Sequence, residues 1–305
     1  MEAIIVIVGF LGAGKTTLLR HLIGCYIDAG WKPFVILNDY ENAYLDVQQL
    51  SEKIEPQWLK PLNGSCICCS GINELRDSVN RIPERERGIT LIEANGTSDA
   101  YALMGFLGVG INERFLPPVQ VSLVDVKNWQ KRGENNELEA KQIQVSSLIV
   151  LTHLEGIPDD RHSVVVKELE QLNPSANIIT TEQLDISKLP ELSPSQNDAQ
   201  KLDHQKTHWA SCSTDLPDLP DPGCIEYICT ALPKSILRVK GCVSVKNEQG
   251  YTYFERTPDG EFCIRPFHGE PITGTKLLTV GPGSNIALLD KVITDSLDDA
   301  KSRCE

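Results

Sequence analysis

No stretch of this chain approaches the roughly 20 consecutive apolar residues that span a bilayer, and no basic residue precedes its short N-terminal apolar run. That run, residues 3–8, passes straight into glycines, so it reads as a core strand and not as a signal peptide or membrane anchor. Positive charge is also scarce. Lys and Arg number 29 against 42 Asp and Glu, a net charge of −13. So acidic a chain is a poor partner for nucleic acid or an anionic membrane. No internal repeat is present. Without an export signal, the ten cysteines read as reduced thiols of a cytoplasmic protein. Most are scattered and fit small buried hydrophobes. What remains is 305 residues, 41% hydrophobic and 23% charged, enough for two domains and a sizeable core.

Residues 3–20, AIIVIVGFLGAGKTTLLR, combine a buried strand, a glycine-rich loop and a helix start. The loop matches G-x-x-x-x-G-K-[ST] through Gly9, Gly14, Lys15 and Thr16. Glycines at 9, 12 and 14 let the backbone approach a ligand closely. Successive N–H groups, those of Ala13 and Thr17 among them, can face an anion at a helix N-terminus. Lys15 suits neutralisation of β- and γ-phosphate charge, and the Thr16 hydroxyl suits Mg²⁺.

The period of Leu18, Leu19, Leu22, Ile23 and Tyr26 predicts a helix over 16–29 with Gly30 at its C-terminal cap. Residues 33–38 read as the second strand. It leads into Asn38-Asp39-Tyr40-Glu41-Asn42, and ligands of open α/β sheets sit beyond strand carboxyl ends. Asp39 and Glu41 there can reach Mg²⁺ or order a water, or can form a solvated acidic turn. Cys66, Cys68 and Cys69 follow between glycines. Their spacing suits thiolate capture of Zn²⁺ or Cu(I). A redox dithiol or an inert cluster are the alternatives. No second C-x-x-C pair closes a structural zinc site.

A helix is expected over 70–81. A strand over 88–93 ends in Glu93, with Gly96 three residues on, in the manner of a Walker B element. There Glu93 can hold a Mg²⁺-bound water and the Gly96 N–H can sense a γ-phosphate. Residues 119–125 and 147–151 read as the fourth and fifth strands, with a polar helix over 137–145 between them. Thr152-His153-Leu154-Glu155 follows, where a GTPase usually carries N-K-x-D, with His153 at the Lys position and Glu155 at the Asp position. A helix over 161–172 and a strand over 177–181 complete the alternation, which is the α/β signature. Residues 191–203 read as a linker. Beyond it, strands over 209–213, 239–245, 251–256, 262–266 and 277–280 and helices over 223–232 and 286–297 make a smaller α+β domain. His204, His208 and Cys212 would align as metal ligands only on a helix, and the segment looks extended.

Taken together, GFLGAGKTTLLRHL at 9–22, the C-x-C-C cluster at 66–69, Glu93 to Gly96, Val124-Asp125, Arg238-x-Lys240-Gly241 and LLTVGPGSN at 277–285 resemble the CobW-type metallochaperone GTPases, a branch of the P-loop NTPases. The resemblance implies a mostly parallel P-loop NTPase sheet flanked by helices over 1–190, the linker, and a C-terminal α+β domain over 204–305. It implies binding and slow hydrolysis of GTP with Mg²⁺ and transfer of Zn²⁺, or an ion such as Co²⁺, from Cys66, Cys68 and Cys69 to a client metalloprotein. Lys15, Asp39 and Glu93 would serve catalysis. Gly9, Gly12, Ala13, Gly14, Lys15, Thr16, Thr17, Gly96, His153 and Glu155 would hold the nucleotide. No nucleic-acid or membrane partner is implied, and a homo-oligomer is compatible. The chain departs from the family at 38–42, at Ala94, at 152–155 and in lacking a His-rich run. Those departures motivate a second reading, a non-hydrolysing or ATP-using nucleotide-dependent interaction module.

Overall fold

Seven consecutive buried residues, Ala3–Gly9, form strand β1. Apolar side chains on both faces of a strand require cover on both sides, which is the situation of a parallel sheet between helical layers. In the computed structural model, β1 lies at the heart of such a sheet. The structure describes residues 1–38, 50, 53–62, 72–195, 211–256, 260–267, 269–271, 274–281 and 283–304. These fall into two compact units, one holding the described residues up to 195 and the other those from 211 on.

In the first unit β1 is joined by β2 (Lys32–Asn38), β3 (Leu59–Leu62), β4 (Gly88–Glu93), β5 (Val119–Asp125), β6 (Leu148–Thr152) and β7 (Asn177–Thr180). All pair in parallel, in the order β3-β2-β4-β1-β5-β6-β7. The helices are α1 (Lys15–Asp28), α2 (Ile72–Asn80), α3 (Ala100–Leu107), α4 (Asn136–Gln144) and α5 (Asp159–Leu172). Alternate residues of β1 serve opposite faces. Ile4, Val6 and Val8 join Leu75, Val79, Leu103 and Leu107 in one core cluster. A second cluster gathers Val124, Trp129, Ile143, Ile149, Val165 and Leu169. Each such side chain, removed from water, contributes about 1.5–3 kcal/mol.

Helix α1 ends as expected. Gly30 takes φ of +76°, and the Gly30 and Trp31 N–H groups donate to the Ile27 and Tyr26 carbonyls at 2.9 and 2.8 Å. This double closure needs a left-handed residue, which glycine adopts without steric cost. Among the described strands and α-helices, two were not anticipated. Strand β3 is only LKPL, and its Pro61 is tolerated because β3 lies at the sheet edge. Residues 119–125 are therefore the fifth strand and 148–152 the sixth. Helix α3 is apolar nearly throughout and so shows no periodic contrast. Its start was nonetheless marked, since Asp99 Oδ1 accepts the Ala102 N–H at 3.0 Å as an N-terminal cap.

The described residues of the second unit form a five-stranded antiparallel sheet with two helices. Its strands are β8 (Ser211–Asp215), β9 (Arg238–Ser244), β10 (Tyr251–Arg256), β11 (Phe262–Phe267) and β12 (Lys276–Val280), in the order β11-β10-β9-β12-β8. Helices α6 (Gly223–Ala231) and α7 (Ile286–Cys304) share a core with Val239, Val243, Phe254 and Leu277. Helix α7 runs well past the expected end at 297. Its last turns keep Ala300 in the core and carry the charged pairs Asp298–Lys301 and Asp299–Arg303 on their exposed side. No helix among the described residues is long and apolar enough to cross a membrane.

Candidate functional site

The loop leaving β1 emerges at the carboxyl end of the sheet, where β1 lies between β4 and β5 and the direction of strand addition reverses. Ligands of doubly wound sheets bind at such a point. A Cβ on Gly9 would come within 2.7 Å of the Leu123 carbonyl oxygen on β5, so the loop can pass this close only without a side chain. Gly12 and Gly14 take φ of +83° and +89°. Gly14 caps α1 with no side-chain hydrogen bond, and the first turn of α1 holds no acidic residue. The positive end of that helix is thus neither filled nor neutralised by its own side chains, which suits an anion. Ala13 is buried and Thr17 exposed.

Lys15 is buried, 4% exposed. Its ammonium donates to the carbonyls of Gly9 at 2.9 Å and Phe10 at 3.2 Å, and so is held inside the loop. The Thr16 hydroxyl donates to Glu93 Oε1 at 2.9 Å. This joins the start of α1 to the end of β4, the two elements assigned to Mg²⁺. Hydroxyl and carboxylate oxygens are hard donors of the kind Mg²⁺ takes. Two residues past Glu93, Asn95 Oδ1 accepts the Thr97 N–H at 3.0 Å and builds a tight turn. Gly96 then meets the glycine-rich loop after β1. A Cβ there would lie 2.8 Å from the Leu11 nitrogen, so only glycine lets the two loops touch.

Beyond β6, the Thr152 hydroxyl donates to the Ala13 carbonyl at 3.1 Å. His153, at φ +53°, places Nε2 3.0 Å from the Gly12 carbonyl, a bond that needs the proton on Nε2. His153 therefore braces the loop. Glu155 is exposed. Of the residues singled out from sequence, Gly9, Gly12, Ala13, Gly14, Lys15, Thr16, Glu93, Gly96 and His153 meet around one loop. Asp39, Glu41, Cys66, Cys68, Cys69, His204 and His208 lie outside the described residues. Cys212 is a buried residue of β8. Among the described residues no group of three or more His, Cys, Asp or Glu side chains is gathered to hold a metal.

Sequence reasoning passed over three contributors. Thr152 was treated only as a lost Asn. Gln142 lies on α4, a helix read as polar and amphipathic, and is one of its buried polar residues, 1% exposed. Its amide donates to the Gly96 and Ser98 carbonyls at 3.0 and 3.1 Å. Arg132 lies in the turn after β5, with its guanidinium carbon 5.0 Å from the ring centroid of Phe10 in the loop. Asp125, an acid closing an apolar strand as Glu93 does, was the available signal for that contact.

A family model described as the CobW/HypB/UreG nucleotide-binding domain matches residues 3–180. The zinc chaperone YjiA of Escherichia coli K12 is 28% identical over 194 residues, 60% of this chain and 58% of that protein. Zinc-regulated GTPase metalloprotein activator 1 of Dictyostelium discoideum is 22% identical over 212 residues, 57% of this chain and 44% of the relative. The chain thus spans about half the length of the curated relatives it matches. The crystal structure of Zn(II)-bound YjiA GTPase from E. coli aligns over 97% of this chain and 98% of that one, at 16% identity and a TM-score of 0.42.

Proposed function

This chain belongs to the CobW/HypB/UreG nucleotide-binding family, and from that premise we propose that it is a nucleotide-switched metallochaperone, one that binds and hydrolyses GTP and passes zinc or a similar ion to a client protein. The observation that carries the nucleotide half is the joint placement of Lys15, Thr16 and Glu93 at the open N-terminus of α1. Lys15 supplies a buried positive charge where terminal phosphates would lie. The loop N–H groups add fixed dipoles that need no reorganisation. Thr16 and Glu93 would hold Mg²⁺, which supplies charge neutralisation on the phosphates. Asp39 or Glu93 would orient a water. The metal half rests on Cys66, Cys68 and Cys69 and on relatives named as a zinc chaperone and a zinc-regulated activator. Zinc is here the cargo.

Coupling follows from chain order. In the sequence the cysteines fall between β3 and β4, and Asp39 follows directly on β2, so a change of nucleotide at Asp39 and Glu93 would be transmitted to the thiols. The protein would act in the cytoplasm. GTP and ATP competition with Zn²⁺ present and absent tests base choice and coupling together. Stronger binding of GTP, altered by Zn²⁺ in wild type and not in a Cys66/Cys68/Cys69→Ser variant, is expected. Equal zinc stoichiometry and affinity in both proteins would sink the metal role. A specific observation favours one alternative. His153 is engaged with Gly12 and Glu155 is a methylene longer than the usual Asp, so base selectivity is open to ATP. A clear ATP preference would replace the GTPase label, and absence of phosphate release under all conditions would leave a binding module.

A further inference from the structure

Arg132 is enclosed, its side chain 6% exposed, and four neighbours account for its position. Its Nη2 lies 3.0 Å from Asp125 Oδ2, at the end of β5. Its Nε lies 3.8 Å from Glu139 Oε1 on α4. Its backbone N–H donates to Asn136 Oδ1 at 2.7 Å. Its guanidinium covers the ring of Phe10, where a cation is attracted to the ring's electron-rich face. Phe10 is 1% exposed and cannot move without the groups around it. The carbonyl of the same residue receives the Lys15 ammonium and the Ala13 N–H. A short path thus runs from a carboxylate on α4 to the charge that meets phosphate.

We propose that Arg132 is a positioning residue for the phosphate loop, clamped by Asp125 on one side and Glu139 on the other, and that loss of the Glu139 charge loosens Phe10 and weakens nucleotide binding. The proposal rests on the reading of this loop as a nucleotide site. Glu139 is suited to act as the variable member. It is 4% exposed, and burial pushes its carboxyl up to about 7. The groups facing it are the Gln130 N–H, Arg132, Asp125 and, from α5, Arg161. The first two and Arg161 favour its charge, and Asp125 opposes it. Its other oxygen accepts the Gln130 N–H at 2.9 Å, at a residue with φ of +56°. One carboxylate therefore holds both the turn that carries Arg132 and the guanidinium itself. Neutral, it loses most of its pull on Arg132, and Asp125 draws the guanidinium alone.

The test is the affinity of a fluorescent GDP analogue for the full chain between pH 5.5 and 8.5, in wild type, Glu139→Gln, Phe10→Leu and Lys15→Ala. Protonation of the analogue affects every protein alike, so the ratio of wild type to variant is the readout. Wild type is expected to bind roughly 3- to 10-fold more tightly than Glu139→Gln above pH 8 and equally below pH 6. Phe10→Leu keeps the clamp and removes its contact, so it too should lose the pH-dependent part. A ratio that stays constant across the range, with circular dichroism showing folded proteins, overturns the proposal. Should Glu139→Gln not fold, the comparison with Phe10→Leu decides in the same way. Binding by wild type that Lys15→Ala abolishes, with a flat ratio, leaves the nucleotide site standing and removes only the role of Arg132. No binding by wild type removes both.

Discussion

Lys15 serves two ends at once, since the same ammonium that would meet phosphate closes the loop on the Gly9 and Phe10 carbonyls. Lys15→Ala is therefore expected to weaken nucleotide binding by at least about 100-fold and to destabilise the fold by about 1–3 kcal/mol through two abandoned carbonyls. Isothermal titration and urea denaturation read the two effects separately. Glu139 is expected to show effects of opposite sign. Folded, it keeps its proton up to about pH 7, whereas the ordinary value is 4.5. Its contribution to stability is thus fully present below about pH 4.5 and falls as pH rises through the window to 7. A shift of that size corresponds to about 3 kcal/mol. Glu139→Gln stays neutral, so its stability relative to wild type should rise across that window while its nucleotide affinity falls above it. A residue with a merely structural role would lose both together.

At the scale of elements, α4 is the support of the site. Its Glu139 reaches the phosphate loop through Arg132, and one turn later its Gln142 holds the Gly96 loop. Gln142→Leu would take the donor from the Gly96 and Ser98 carbonyls, at a cost of about 1–3 kcal/mol. Faster nucleotide release in stopped flow is the expected functional sign. Unchanged release would mean that the Gly96 loop is held by Leu11 contacts alone. Gly96→Ala brings a Cβ within 2.7 Å of Leu11 Cδ2, and overpacking of this kind costs about 1–3 kcal/mol. In the antiparallel unit, β9 and β10 depend on a similar fit. A Cβ on Gly241 would come 2.1 Å from Phe254 Cζ. Beside it, burial alone would push the Glu255 carboxyl up, but Arg238, Lys240 and Tyr253 together hold it at about 2. That carboxylate contributes stability above about pH 4.5, and the contribution is lost as pH falls towards 2. Acid unfolding should move to higher pH in Arg238→Gln.

For the whole molecule, a net charge of −13 implies self-repulsion, so added salt should raise the melting temperature by roughly a few degrees. A fall on adding NaCl would mean that attractive pairs dominate. The alternation of strands and helices was legible from sequence because buried parallel strands are continuous apolar runs and their helices carry a 3.6-residue period. So was the glycine-rich turn from β1 into α1, since its glycines, Lys15 and Thr16 lie within eight residues of one another and owe little to the rest of the chain. The short edge strand 59–62 and the apolar helix 100–107 escaped because neither shows contrast between faces. The antiparallel pairing order β11-β10-β9-β12-β8 depends on long-range contacts that no local pattern encodes. Tertiary structure alone decided that Thr152 and Arg132 reach the loop, from positions 120 residues or more away, that His153 bonds the loop backbone, and that Gln142 holds the Gly96 turn beside it. A polar residue bound for a buried hydrogen bond looks, in one dimension, like a polar residue bound for water. What separates the two is the sheet order, which brings the ends of β4, β5 and β6 to the mouth of β1.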